Sequence, residues 1–575
     1  MRLSSVRGAR AIAVTLVLVL GAAACTGGDD KPKTDGAGPS GPQAQIGKAS
    51  PFPSPAFPVP EPAADWLTSG CDLPLDLLQR VRRDYNPERS AEVVAVPRAP
   101  NFMGGYNATS HSGPWDYIQR VPIVLYGPGF IRAQGKVELE REATVADLAP
   151  TLADLLDMPW PEDRPSRSLS EALLPEAKRN GTPRVIVTIV WDGGGWDVLE
   201  TWPDSWPHLA SLMADGTAVT NGIAGSSPSV TPAIHANIGT GAFPKQHGIV
   251  DIPVRDGDDV LNSYPEKSPR FLGLPTVADL WDLSTGNAAQ VGMLGYKGWH
   301  IGMMGQGGYL EGADKDLAAF IANSGEGVVG AETWYELPDY LDKVSGIETF
   351  AETIDAGDGK RDGRWLGHDT LKDPFDLRHT PAAILYQTEL MLPMLGKEGF
   401  GQDEIPDLFY VNYKPIDTIG HSYNMVDPEV RDALLYADEE LKEITRYLDD
   451  EVGKNKWVVA ITADHGQTPS PDVTGAWAIS QDVMMEDVAE QLGLEVKDIF
   501  QEARPTNFWL QPGLEEEHGV TAEEVADIFL QHTISDNVTD ESRLPDYEGR
   551  LQEPVIEAAF PYDELGRIWK CATSS

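Results

Sequence analysis

RVIVTIVWDGGG, residues 184–195, is an apolar, β-branched run that stops on an aspartate and three glycines. Two other runs repeat the pattern. LFYVNY at 408–413 leads to Asp417, and WVVAITA at 457–463 stops at Asp464, His465 and Gly466. Short runs of this kind read as buried parallel strands with helices between them. Glu429 to Asp450 supplies one such helix, with Val430, Leu434, Ala437, Leu441, Ile444 and Leu448 on one face. The expected fold is α/β, a central, mostly parallel sheet flanked by helices. In open sheets of that class chemistry gathers beyond the carboxyl ends of the strands. Asp192, Asp417 and Asp464 all fall there.

Ser227 to Ile249 reads SPSVTPAIHANIGTGAFPKQHGI. It resembles the nucleophile segment of the alkaline phosphatase superfamily, in the type I phosphodiesterase/nucleotide pyrophosphatase branch. There a PTxTxPxH-like stretch precedes TG and then PxxHGI. The matching residues are Pro228, Thr231, His235, Thr240, Gly241, Pro244, His247, Gly248 and Ile249. The resemblance implies an alkaline-phosphatase-like sheet and makes Thr231 the nucleophile. An unassisted hydroxyl is a poor nucleophile at neutral pH, and metal coordination lowers its pKa and aims it. Taken alone, Thr231 reads equally well as a helix cap before Pro232. His235 and His247 read as packing or supporting groups rather than ligands. A sulfatase is disfavoured, because no Cys or Ser stands at the nucleophile place in CxPxR surroundings.

The same resemblance implies two divalent ions held by Asp and His. Asp192 matches the first Asp. Asp417 and His421 match a DxxGH segment, whose four-residue offset puts both groups on one side of a helix start. Asp464 and His465 match a DHG segment. Each Asp alone is explicable as a helix cap; three, two with an attendant His, are not. The family's last His normally follows DHG. Only His518 and His532 do so here, and neither sits in a matching segment.

That segment stands near the other end. SHSGPWDY at 110–117, VPIVLYGPG at 121–129 and TVADLAPTL at 144–152 resemble stretches found near the family's C-termini. A circular permutation is therefore expected, with 71–180 as the displaced terminal portion of the catalytic fold and 181–575 as its main portion, the two forming one domain. His111 then becomes the missing ligand, in preference to His518. The resemblance thus assigns Asp417, His421 and His111 to one ion and Asp192, Asp464, His465 and Thr231 to the other. This donor set suits Zn²⁺, with Mn²⁺ as the alternative.

Residues 1–25 read as an address. Arg2, Arg7 and Arg10 precede an apolar run, Ala11 to Leu20, that is too short to span a bilayer. Ala22 to Cys25 resembles the lipobox of bacterial lipoproteins, which implies lipidation of Cys25; an ordinary secretory signal is the alternative. Residues 26–70, rich in Gly, Lys, Asp and Pro, are expected to form a disordered tether. In an oxidising compartment the other two cysteines, Cys71 and Cys571, are expected to pair. Under the permutation such a bridge re-closes the old chain near its new ends.

The chain of 575 residues carries 45 Lys+Arg against 89 Asp+Glu, a formal charge of −44. No excess of cations is present to track a nucleic-acid polymer, so none is expected as partner. The expected function is that of an exported hydrolase of small phosphate esters, held to the outer face of a bacterial membrane by lipid only. It would work through a phosphothreonine intermediate. Nucleotide pyrophosphatases of this branch place an Asn shortly after HGI, and Val250, Asp251 and Ile252 stand there instead. Lys297, in KGWH at 297–300, matches part of a KxR segment that some monoesterases use on the phosphate dianion; a surface lysine is the alternative. The reading therefore leans to phosphomonoesters. A phosphodiesterase or nucleotide pyrophosphatase, an envelope phosphoryl-group transferase, and a non-catalytic envelope lipoprotein are the competing functions.

Overall fold

The computed structural model describes residues 62–104, 109–111, 113–468 and 471–573. The expected signal, Cys25 and most of the expected tether lie outside the described residues.

Among the described residues nine strands form the main sheet: β1 (Ile123–Tyr126), β2 (Gly135–Val137), β3 (Val185–Trp191), β4 (Thr217–Val219), β5 (Val291–Gly295), β6 (Leu317–Ile321), β7 (Val328–Val329), β8 (Asp407–Tyr413) and β9 (Trp457–Thr462). Their order is β7-β6-β5-β8-β3-β9-β1-β4-β2. The five from β6 to β9 run parallel, whereas β1 is antiparallel to both of its neighbours. The apolar run that opens at Arg184 is thus the central strand. Every residue of β3 is buried. Val185, Val187, Ile189 and Trp191 pack into one core layer, Ile186 and Val190 into the other. A strand covered on both faces has no polar side, which explains its unbroken apolar sequence.

Register decides what happens at the strand ends. Trp191 pairs with Tyr413, and Val190 pairs with Thr462. The residues just beyond, Asp192, Lys414 and Asp464, therefore emerge side by side at one edge of the sheet. The helix Pro428–Tyr447 covers the Val185 face, and all six apolar positions read from the sequence are buried.

The early part of the chain is woven into this fold. β1 lies between β9 and β4 in the main sheet. Val93–Pro97 belongs to a second, four-stranded antiparallel sheet, between Asn507–Leu510 and Ile556–Pro561, with Phe500–Arg504 on its edge. Cys71 and Cys571 form a disulfide with Cα atoms 5.6 Å apart, joining the helices Trp66–Asp72 and Leu565–Ala572. The first of these corrects the expected tether boundary. Asp65 caps that helix through Thr68 N–H, and the Ser69 hydroxyl donates to the Ala559 carbonyl, so residues 66–70 are anchored to the second sheet.

Asp251 lies buried where this second sheet meets the segment after HGI. It accepts hydrogen bonds from Ile252 N–H and the Asn507 amide. Burial nevertheless pushes its carboxyl up to about 7. A carboxyl with a raised folded-state pKa stabilises the fold fully below its unfolded value, and that contribution is lost as pH rises through about 7. Asp251→Asn should therefore gain on the parent protein by up to a few °C in Tm as pH rises from about 4 to about 7. Melting curves across that range test this, and a gap independent of pH would contradict it.

Candidate active site

At the carboxyl edge of the sheet three carboxylates and three imidazoles converge. His111 Nε2 lies 3.8 Å from Asp417 Oδ1, and His421 Nε2 lies 3.2 Å from the same oxygen. His465 Nε2 is 3.6 Å from Asp192 Oδ1, 3.9 Å from Asp417 Oδ1 and 3.5 Å from Asp464 Oδ2. The His111 and His465 rings stack with centroids 3.6 Å apart. All six residues are buried.

The tautomers follow from backbone contacts. His111 Nδ1 faces the Ser229 carbonyl, His421 Nδ1 the Thr109 carbonyl and His465 Nδ1 the Gly466 carbonyl, each at 2.9 Å. A carbonyl only accepts, so each Nδ1 carries a proton and each Nε2 is turned toward the carboxylates. That is how ligating imidazoles are commonly held. His465 Nε2 and Asp464 Oδ2 are buried without any hydrogen-bond partner. Orphaned acceptors of this kind beside three carboxylates fit a divalent cation. Three sets here have their donor atoms within 4.8 Å of one another: His111, Asp417 and His421; Asp192, Asp417 and His465; and Asp192, His235 and Asp464.

Local structure explains why these residues arrive here. Pro415 opens the helix Pro415–Ser422, which places Asp417 and His421 one turn apart on the same face. The Gln467 amide braces Asp417 at 3.2 Å, and a Cβ on Gly420 would lie 1.8 Å from that Gln467 side chain. Gly193 has φ +74° and sends its N–H to Asp464 Oδ1 at 3.1 Å, a conformation that favours glycine.

Thr231 is the first residue of the helix Thr231–Thr240, and Val230 is its cap residue, so the hydroxyl is not a helix cap. It accepts instead from Lys414 Nζ at 3.0 Å. The same ammonium reaches Asp192 Oδ1 at 2.8 Å and Asp417 Oδ2 at 2.6 Å. Lys414 is a residue that the sequence reading missed. Although burial disfavours its charge, the Asp192, Asp417 and Asp464 carboxylates hold it above the usual lysine range. Burial pushes Asp464 well up, with the Asp192 charge adding to it. Asp417, despite burial, is held well below the carboxylate range by His421 and Lys414. Burial pushes His111 well down, consistent with a neutral donor.

The remaining histidines divide clearly. His235 Nδ1 donates to the Thr231 carbonyl at 2.8 Å, and its Nε2 lies 3.3 Å from the Asn412 amide, which donates to Asp192 Oδ2 at 2.9 Å. His235 thus braces the start of the Thr231 helix, although its ring also comes within range of Asp192 and Asp464. His247 bonds to Ile249 N–H and Asn237. His300, also missed from sequence, turns a buried, unpartnered Nε2 toward Asp192 Oδ2 at 3.8 Å. His518 is exposed at the end of a short helix, and His532 pairs with Asp487 at 3.3 Å. Lys297 is half-buried beyond β5 with its ammonium 5.1 Å from the Trp299 ring centroid. Burial, with the Lys414 and Arg378 charges, pushes it down to about 7.

Known proteins share parts of this chain. The family described as type I phosphodiesterase / nucleotide pyrophosphatase matches residues 186–569, a span that begins after His111. Alkaline phosphatase PafA of Elizabethkingia meningoseptica is 23% identical over 379 residues, 57% of this chain and 68% of that protein. Alkaline phosphatase PhoV of Synechococcus elongatus is 24% identical over 336 residues, 50% of this chain and 60% of that protein. The chain thus spans roughly two thirds of the length of these curated relatives. The crystal structure of wild-type PafA superposes with a TM-score of 0.47 at 19% identity, over 60% of this chain and 75% of that one.

Lys414 supplies positive charge that the buried carboxylates require when no other cation is bound. In metal-stripped protein, Lys414→Met should cost about 3 kcal/mol or more, because it leaves buried charges unpaired. Metal loading should close most of that gap. Melting curves of stripped and Zn²⁺-loaded forms test this, and an equal loss in both would contradict it.

Proposed function

We propose, from the premise that this chain belongs to the type I phosphodiesterase / nucleotide pyrophosphatase family and is a phosphoester hydrolase, that it transfers the phosphoryl group of small phosphate esters to Thr231 and then to water. The observation that carries this reading is the convergence of three Nε2 atoms and three carboxylates next to the Thr231 hydroxyl. Asp417, His421 and His111 would hold one divalent cation; Asp192, Asp464, His465 and Thr231 would hold the other. The donors suit Zn²⁺, with Mn²⁺ as the alternative. Bound cations of this kind supply Lewis acidity to the nucleophile and the leaving oxygen.

The chain's own groups do the rest. The helix that begins at Thr231 fixes the hydroxyl and turns its positive end toward the phosphoryl oxygens. Lys414 donates to the Thr231 oxygen and favours its anionic form. Lys297 would neutralise a phosphate dianion, which supports a preference for phosphomonoesters; a diesterase or an envelope phosphoryl-group transferase would use the same centre. A second reading is favoured by one observation: Lys414 already touches Asp192, Asp417 and Thr231 within 3.0 Å. In that reading the ammonium replaces one of the two cations.

The position of β1 in the main sheet, His111 at the centre and the bridge between Cys71 and Cys571 support the permutation. The bridge also supports an oxidising, extracytoplasmic location, with the lipid on Cys25 as anchor. Among the described residues no helix is long and apolar enough to cross a membrane.

Turnover of p-nitrophenyl phosphate should exceed that of the bis-ester and vanish with a chelator. Thr231→Ala should lower it by about a thousandfold or more while leaving metal content unchanged. Retained turnover in that variant would discredit the nucleophile, and a preference for the bis-ester would reverse the substrate reading.

A further inference from the structure

A second group of carboxylates lies at the opposite end of the sheet. Asp282 sits near the end of the helix Val277–Thr285; Asp314 and Asp316 lie on the loop that enters β6 at Leu317. β6 runs parallel to the strands that carry the catalytic residues at their carboxyl ends, so its start faces away from them. One oxygen from each of Asp282, Asp314 and Asp316 lies within 4.8 Å of the other two.

Proximity alone would mean little in a chain with 89 acids. Burial is the separate observation. Asp282 is only 2% exposed, and both of its carboxylate oxygens are buried without a hydrogen-bond donor. Asp316 is buried as well. Neighbouring side chains bring no positive charge to Asp282. Asp279, on the same helix face, has its own oxygens engaged by Thr276 N–H and Gln306 N–H, each at 2.7 Å. Lys315 turns its ammonium away to the Glu332 carbonyl at 2.5 Å. The charges that bear on Asp282 and Asp316 are carboxylates, those of this group and of Asp279, and Asp316 has one backbone donor, Gly307 N–H. Two unpaired oxygens in a low-dielectric setting cost several kcal/mol unless a cation or protons take them up.

We propose that Asp282, Asp314 and Asp316 form a structural Ca²⁺ site, which clips the helix Val277–Thr285 to the loop entering β6. The donor set is entirely carboxylate, a hard ligand set without imidazole or thiolate. Asp314 is exposed and leaves an approach for the ion and its waters. Ca²⁺ accepts irregular oxygen arrangements that the stricter octahedral demand of Mg²⁺ disfavours. The site is separate from the catalytic centre and does not rest on the proposed reaction.

Calorimetric titration of Zn²⁺-loaded enzyme with Ca²⁺ tests the proposal. One further equivalent should bind, raise Tm and bind at least about tenfold more tightly than Mg²⁺. Tb³⁺ in its place should luminesce on excitation of the adjacent Trp281. Asp282→Asn should weaken Ca²⁺ binding by about tenfold or more and leave p-nitrophenyl phosphate turnover unchanged. Asp314→Asn, at the surface, carries the same test should the buried variant fail to fold. Absence of the extra equivalent, binding that survives both substitutions, or equal affinity for Mg²⁺ would overturn it.

Discussion

Negative charge taken out of water must be met by positive charge, and at the carboxyl edge of this sheet three aspartates are buried within a few ångströms of one another. The β3 register with β8 and β9 puts them there, because three strands end at one level. Dispersing them would require a slip in a core buried on both faces, which would expose or misplace whole rows of Val, Ile and Trp. Strand pairing thus enforces the crowding of acids, and the crowding selects the cations. Lys414 is the cation the chain itself contributes; the three Nε2 atoms turned to the carboxylates mark room for others.

The supporting contacts are specific to this task. Three imidazoles are locked by three different carbonyls, so their donor atoms are oriented before anything binds. Asn412 and Gln467 each hold a carboxylate by one amide hydrogen bond. The carbonyl for His111 belongs to Ser229, two residues before Thr231, so the early segment and the loop before Thr231 fix each other. Contributions from residues 109 to 467 therefore meet through short polar contacts.

The central strands were legible because a doubly covered strand has to be continuously apolar, and the helix at 428–447 because its apolar face repeats every three or four residues. Asp192, Asp417, Asp464 and their histidines were legible as polar stops after those runs. His111 could be named only by resemblance, since nothing local distinguishes a His in SHSGPWDY. Lys414 escaped notice because a lysine after a strand ordinarily reads as a solvated surface group; only the pairing of Trp191 with Tyr413 brings it beside Asp192. The second sheet escaped for a related reason: its four short strands come from residues 93 to 561, and long-range pairing leaves little periodic trace. Asp282 and Asp316 were lost in the general acidity of the chain until folding brought them together.

The account is tested most directly by anomalous X-ray diffraction at the zinc edge from crystals of the Zn²⁺-loaded protein. It predicts two peaks, one bordered by Asp417, His421 and His111, the other by Asp192, Asp464, His465 and the Thr231 oxygen, with Lys414 withdrawn from one of its present carboxylate contacts. A single peak with Lys414 still bridging Asp192 and Asp417, or a His111 ring turned away from both peaks, would contradict it.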